Sequence, residues 1–83
     1  MIYTLGRIDV YEKYMASDPN AAKRKGGSVW ETYDKVFAYL YMGTLHDDFK
    51  IYGVEADWND DTEFEEGAEG WRALKRNAKL IKL

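Results

Sequence analysis

The chain contains no cysteine, so neither a disulfide framework nor a thiolate zinc site is available to it. Its single histidine, His46, excludes a metal centre built from several imidazoles. Its single proline, Pro19, and the lack of any low-complexity stretch leave no linker, and residues 1–83 read as a single domain. No apolar run approaches the roughly 18 residues that span a bilayer. The opening Met1-Ile2-Tyr3-Thr4-Leu5-Gly6-Arg7 has no apolar signal-peptide core. A soluble, cytoplasmic protein with no membrane partner is therefore expected.

Aromatic residues are abundant, by contrast. Thirteen of the 83 residues are Trp, Tyr or Phe, and each can bury a large apolar area. That helps a chain of this length, close to the size at which one core is only marginally sufficient. Charge is divided just as unevenly. From Asp47 to Glu69 there are ten carboxylates and one base, Lys50, whereas eleven bases and five acids lie outside that window. The net charge of −3 conceals an acidic block inside a basic frame.

Apolar patterning predicts an α+β fold with a small mixed or antiparallel sheet of three to four strands, covered on one face by about two helices. Ile2 to Leu5 reads as a strand; the spacing of Ile8, Tyr11, Tyr14 and Met15 fits a short helix as well as a continued strand. Ser17-Asp18-Pro19-Asn20 forms a turn. Ala21 to Gly27 is a basic loop, and Ser28-Val29-Trp30 a short strand. Thr32 caps a helix whose stripe is Tyr33, Val36, Phe37, Leu40 and Tyr41, with Gly43 as its stop. Phe49 to Ala56 is the best strand and Trp58 to Gly67 an acidic loop. A second helix is predicted from about Ala68 to Asn77, with Trp71, Leu74 and Ala78 on one stripe. Lys79 to Leu83 closes the chain as a strand, which would flank the acidic loop if it paired beside Phe49 to Ala56.

Three segments are candidates for function. In the acidic loop, Asp57, Asn59, Asp61 and Glu63 alternate like the first half of a calcium loop. Thr62 stands where that loop needs glycine, however, and Ala68 where it needs a bidentate glutamate. A solvated loop, a mimic of nucleic-acid phosphate and a protein-binding surface are the remaining readings. The last is preferred, with Tyr52, Asp57, Trp58, Asp60, Asp61, Glu63, Glu65 and Glu66 as residues of an interface that includes the acidic loop 55–69.

The segment Lys23, Arg24, Lys25, Gly26, Gly27 and Ser28 combines cations, glycines and a hydroxyl. That suits a phosphate-bearing small molecule such as a nucleotide, although neither P-loop nor dinucleotide-binding spacing is present. Three adjacent bases make a thin footprint for nucleic acid, which is not expected as a partner. His46, beside Asp47 and Asp48, is the remaining acid–base candidate, without an identified second group. No cofactor is expected. Surplus aromatics at the surface of so small a domain also suggest a homodimer through an aromatic face or an edge strand.

The run Ile51-Tyr52-Gly53-Val54-Glu55-Ala56-Asp57-Trp58, with Asp61-Thr62, Gly70-Trp71-Arg72 and Lys79 to Leu83, resembles small proteins of bacteria and their phages that have no assigned activity. The resemblance covers about the last 35 residues. It implies an accessory role and transfers no functional residue. Gly27-Ser28-Val29-Trp30-Glu31-Thr32 is similar in outline to ADP-ribosyltransferase-like domains, whose catalytic constellation the chain lacks. That similarity implies nucleotide binding without turnover. The leading expectation is a small non-enzymatic binding protein of phage or bacterial accessory type, with the phosphate binder and a His46 enzyme as alternatives.

Overall fold

The computed structural model describes residues 1–42, 47–64 and 70–83. Along the chain run β1 (Ile2–Arg7), α1 (Ile8–Ser17), β2 (Ala22–Lys23), β3 (Ser28–Val29), α2 (Tyr33–Met42), β4 (Phe49–Val54), β5 (Thr62–Phe64), β6 (Arg72–Leu74) and β7 (Ala78–Ile81). The fold is α+β, with two helices and two antiparallel sheets in the orders β1-β4-β7-β2 and β3-β6-β5. Tyr3 and Trp30 join the sheets by exchanging backbone hydrogen bonds of 3.0 and 2.8 Å. No described helix is long and apolar enough to cross a membrane.

The centre of the molecule is the β1–β4 ladder, in register from Ile2↔Val54 to Arg7↔Phe49. Successive strand side chains point to opposite faces, so this pair has two apolar surfaces to cover. Ile2, Tyr52 and Val54 form one core with Val29, Leu74 and Leu80, and α1 lays Tyr11, Tyr14 and Met15 against it. On the other face Tyr3, Leu5, Phe49 and Ile51 meet Val36 and Leu40 of α2 beside Trp30. Each face thus receives one helix, where the sequence pattern placed both on one.

The ambiguous segment after Gly6 resolves as helix, because the spacing of Tyr11, Tyr14 and Met15 matches a helical face laid on the sheet. Asp18 donates its backbone N–H to the Tyr14 carbonyl at 3.0 Å and Pro19 follows, ending α1 at the expected turn. Within the expected basic loop, Ala22 and Lys23 pair with β7. β4 stops at Val54, and the terminal strand pairs beside it through Gly53↔Ile81 and Val54↔Leu80.

The predicted helix over 68–77 is overturned. Arg72–Leu74 is the central strand of the smaller sheet, paired to β3 through Ser28↔Ala73 and to β5 through Thr62↔Leu74. Ala73 and Leu74 are both buried, and partners on both sides satisfy the backbone without a helix. β5 likewise makes Thr62–Phe64 a strand inside the stretch read as loop. Gly43, Ala68 and Glu69 lie outside the described residues.

Candidate functional site: an aromatic groove beside α2

Helix α2 begins where Thr32 predicts it. Lys35 donates its backbone N–H to Thr32 Oγ1 at 3.2 Å, and Val36 donates to the Thr32 carbonyl at 3.3 Å. The five-residue stripe does not all enter the core. Val36 and Leu40 are buried, whereas Tyr33, Phe37 and Tyr41 are 45%, 45% and 58% exposed. Residues four apart advance about 40° around a helix. These three rings therefore descend one flank beside the buried line.

They form a ladder. The Tyr33 and Phe37 centroids are 6.1 Å apart and those of Phe37 and Tyr41 4.5 Å apart. Tyr3 meets Tyr33 edge-on at 5.8 Å and anchors the ladder to β1. Between the ladder and β4 lies a groove of 340 Å³, with Leu40 and Ile51 beneath and Phe49, Lys50 and Leu83 along its border. Lys50 borders the groove, but its ammonium turns to the opposite face of the sheet, 3.5 Å from Glu12 of α1. The groove's lining is mainly aromatic and aliphatic.

The acidic segment is organised for a different purpose. Asp57 Oδ1 accepts backbone N–H bonds from Asn59 at 2.9 Å and Asp60 at 2.8 Å, while Asp61 Oδ2 accepts from the Asp57 N–H at 2.7 Å. Arg76 grips both Asp61 oxygens, at 3.0 and 3.1 Å. That guanidinium, followed by the Asp57 amide, holds the Asp61 carboxyl below the usual carboxylate range. The Thr62 hydroxyl donates to the Trp58 carbonyl. Asp57 and Asp61 thus serve the loop itself, and Asp60 and Glu63 remain exposed. Among the described residues no group of three or more acidic or imidazole side chains converges on a metal position.

Trp58 is half-buried under the Arg72 guanidinium, 4.4 Å from its ring, and exposed Phe64 lies on the same cation at 5.9 Å. Tyr52 is a correction to the expected interface. Its side chain is fully buried, with its ring against Tyr11 at 5.1 Å and its hydroxyl on Glu12 at 3.0 Å, so it offers no surface to a partner. Glu65, Glu66 and His46 lie outside the described residues.

The basic turn is also internally employed. The backbone amides of Lys25, Gly26 and Gly27 donate to Asn77 Oδ1, the Leu74 carbonyl and the Arg24 carbonyl at 2.8, 2.9 and 3.0 Å. Gly26 adopts φ +89°, a conformation glycine reaches without a Cβ clash. With those donors occupied, no backbone nest is left for an anion. Lys23 turns inward, its ammonium 2.7 Å from the Tyr11 hydroxyl and 3.4 Å from the Leu5 carbonyl. The Ser28 carbonyl accepts from the Thr4 hydroxyl at 2.7 Å. A groove of 440 Å³ lined by Tyr11, Tyr14, Ala22, Lys23, Arg24 and Gly27 runs beside this turn.

The 3.6-residue period marks Tyr33, Phe37 and Tyr41 as part of one apolar stripe but does not give the width of the sheet that the stripe meets. Comparisons with protein-family models, curated proteins and solved structures find no match to this chain. The functional reading therefore rests on the chain's own geometry.

Proposed function

We propose that this chain is a non-enzymatic protein-binding module whose contact surface is the aromatic groove beside α2. The observation that carries the reading is the Tyr33–Phe37–Tyr41 ladder, three rings about half exposed on one short helix. Large rings offer much contact area for little conformational entropy, and they concentrate where one protein surface meets another. In this reading the acidic stretch is a charged flank, with Asp60 and Glu63 steering a partner and Asp57 and Asp61 holding the loop. A photoreactive benzophenone side chain in place of Phe37 should crosslink to a protein and be competed by unlabelled chain. The same group at Lys13, exposed on α1, should not. Equal yields from the two positions would contradict the reading.

A second reading, binding of a phosphate-bearing small molecule, is favoured by one observation. Arg24 and Lys25 are exposed and make no ion pair among the described residues, and Arg24 lines the groove that contains Tyr11 and Tyr14. A ligand that binds only the native state raises its melting temperature. An ADP titration that leaves Tm unchanged at about 100 times a micromolar Kd, where about 2.7 kcal/mol of stabilisation is expected, removes this reading.

A further inference from the structure

We propose that Arg72, with Trp58 and Phe64, forms a binding site for a single carboxylate carried on an aromatic group. The site is separate from the α2 groove and does not depend on what that groove binds. Phe64 and Arg72 are register partners across β5 and β6, so their side chains leave the smaller sheet on the same face. The Arg72 guanidinium lies 4.4 Å from the Trp58 ring and 5.9 Å from that of Phe64. The Trp58 carbonyl accepts from Arg72 Nη1 at 3.3 Å and from the Thr62 hydroxyl, which fixes tryptophan and cation together. A groove of 210 Å³ opens beside them, with Glu31, Lys35 and Trp71 along its border.

The guanidinium is held but not satisfied. Arginine presents a planar fork of N–H donors that matches a carboxylate edge-on, and a ring stacked on its face leaves that edge free. Among the described residues Arg72 commits only Nη1 to a hydrogen bond and makes no ion pair. Arg76 shows the alternative, with its Nε and Nη2 closed on the two Asp61 oxygens. Asp57, Asp60, Asp61 and Glu63 all precede Arg72 closely in sequence. Its unpaired state therefore follows from where the rings hold it, not from a shortage of carboxylates.

Charge and size select the ligand class. Glu31 and Lys35 lie 3.5 Å apart and offset each other, so the lining carries one uncompensated positive charge, that of Arg72. That suits a carboxylate; a phosphate monoester, with a charge close to two, meets the Glu31 carboxylate as well. Phe64 supplies the other half of the recognition. Its ring is 77% exposed beside the cation, a large apolar surface that an aromatic group on the ligand covers. The groove is smaller than the roughly 300 Å³ at which drug-sized ligands begin to fit, so it takes one ring with its acid group rather than a nucleotide. A free aromatic acid and the C-terminal aromatic residue of a peptide share this chemistry.

N-acetylphenylalanine, titrated to about 10 mM against the labelled protein, should shift the NMR signals of the Trp58 indole N–H and the Phe64 ring with a Kd of about 1 mM, the range for a ligand of roughly 15 non-hydrogen atoms. Its uncharged amide should bind about tenfold more weakly or not at all. Arg72→Lys keeps the charge and loses the fork, and Phe64→Ala removes an exposed ring. Each should weaken binding about tenfold with an unaltered circular dichroism spectrum, whereas Lys13→Ala should leave binding unchanged. Phenylacetate and a pentapeptide ending in phenylalanine tell the two sources apart. Equal affinities assign the site to a free acid, and a peptide about tenfold tighter assigns it to a chain end. No shift with N-acetylphenylalanine, equal binding of acid and amide, tighter binding of phenylphosphate, or undiminished binding by both Arg72→Lys and Phe64→Ala would overturn the inference.

Discussion

The Tyr52 hydroxyl donates a 3.0 Å hydrogen bond to the Glu12 carboxylate, which also lies 2.9 Å from the Lys82 ammonium and 3.5 Å from Lys50. One carboxylate on α1 thereby ties the helix to β4 and the chain beyond β7. Burial of the Tyr52 ring, reinforced by the Glu12 charge, pushes the phenol well above its ordinary pKa, so it stays a donor at any working pH. Replacing Tyr52 by Phe keeps the packing and removes the bond. A loss of about 1–2 kcal/mol is expected in urea denaturation.

Glu12 also predicts how the fold responds to acid. Its hydrogen bond to Lys82, then that from Tyr52, hold its carboxyl below the usual range, and Arg76 does the same for Asp61. In the unfolded chain both groups return to ordinary values near 4, so the unfolded state takes up protons first as pH falls. Their contribution is complete at pH 7 and is lost below about pH 4, as the folded-state values are crossed. Glu12→Gln should lower the urea midpoint at pH 7. The gap between the two proteins should narrow steadily as the pH is lowered through that window.

Gly6 and Tyr11 set a steric limit where β1 passes into α1. A Cβ at position 6 would run into the Cγ side of the Tyr11 ring, which cannot swing away freely because it rests against Tyr52 at 5.1 Å. Gly6→Ala should therefore destabilise by about 1–3 kcal/mol through overpacking. The opposing gain from removing glycine from a strand is only about 0.5–1 kcal/mol. For a domain of this size each kcal/mol lowers Tm by roughly 4–8 °C, within reach of a thermal melt.

Neighbouring acids in the 57–61 turn should behave very differently. Asp57 caps two backbone amides, so Asp57→Ala should cost on the order of 1 kcal/mol. Asp60 donates its amide to that cap but makes no side-chain bond among the described residues, and Asp60→Asn should stay within about 0.5 kcal/mol of the parent. Paired thermal melts measure the difference. Equal losses would mean that the turn is held by something other than the Asp57 carboxylate.

Local chemistry made much of the fold legible in the sequence. Thr32, the turn at Pro19 and the apolar strand from Phe49 act within a few residues of themselves, and each appears where its chemistry places it. Arg72–Leu74 was not legible, because Trp71, Leu74 and Ala78 fit a helical period while the strand is dictated by β3 and β5 on either side. The α2 groove was half legible. Periodicity identified all five apolar positions, but only packing against the narrow β1–β4 face separates Val36 and Leu40 from the three exposed rings. Tyr52 misled in the opposite direction: its polar tip suggested a surface residue, whereas Glu12 satisfies the hydroxyl from inside the fold.

The central claim is that the working surface of this chain is the aromatic flank of α2. Crosslinking from a benzophenone in place of Phe37, set against the same group in place of Lys13 on α1, tests it most directly. Position 37 should capture a protein in a yield that unlabelled chain competes away, and position 13 should not. Equal yields from the two positions would contradict the claim.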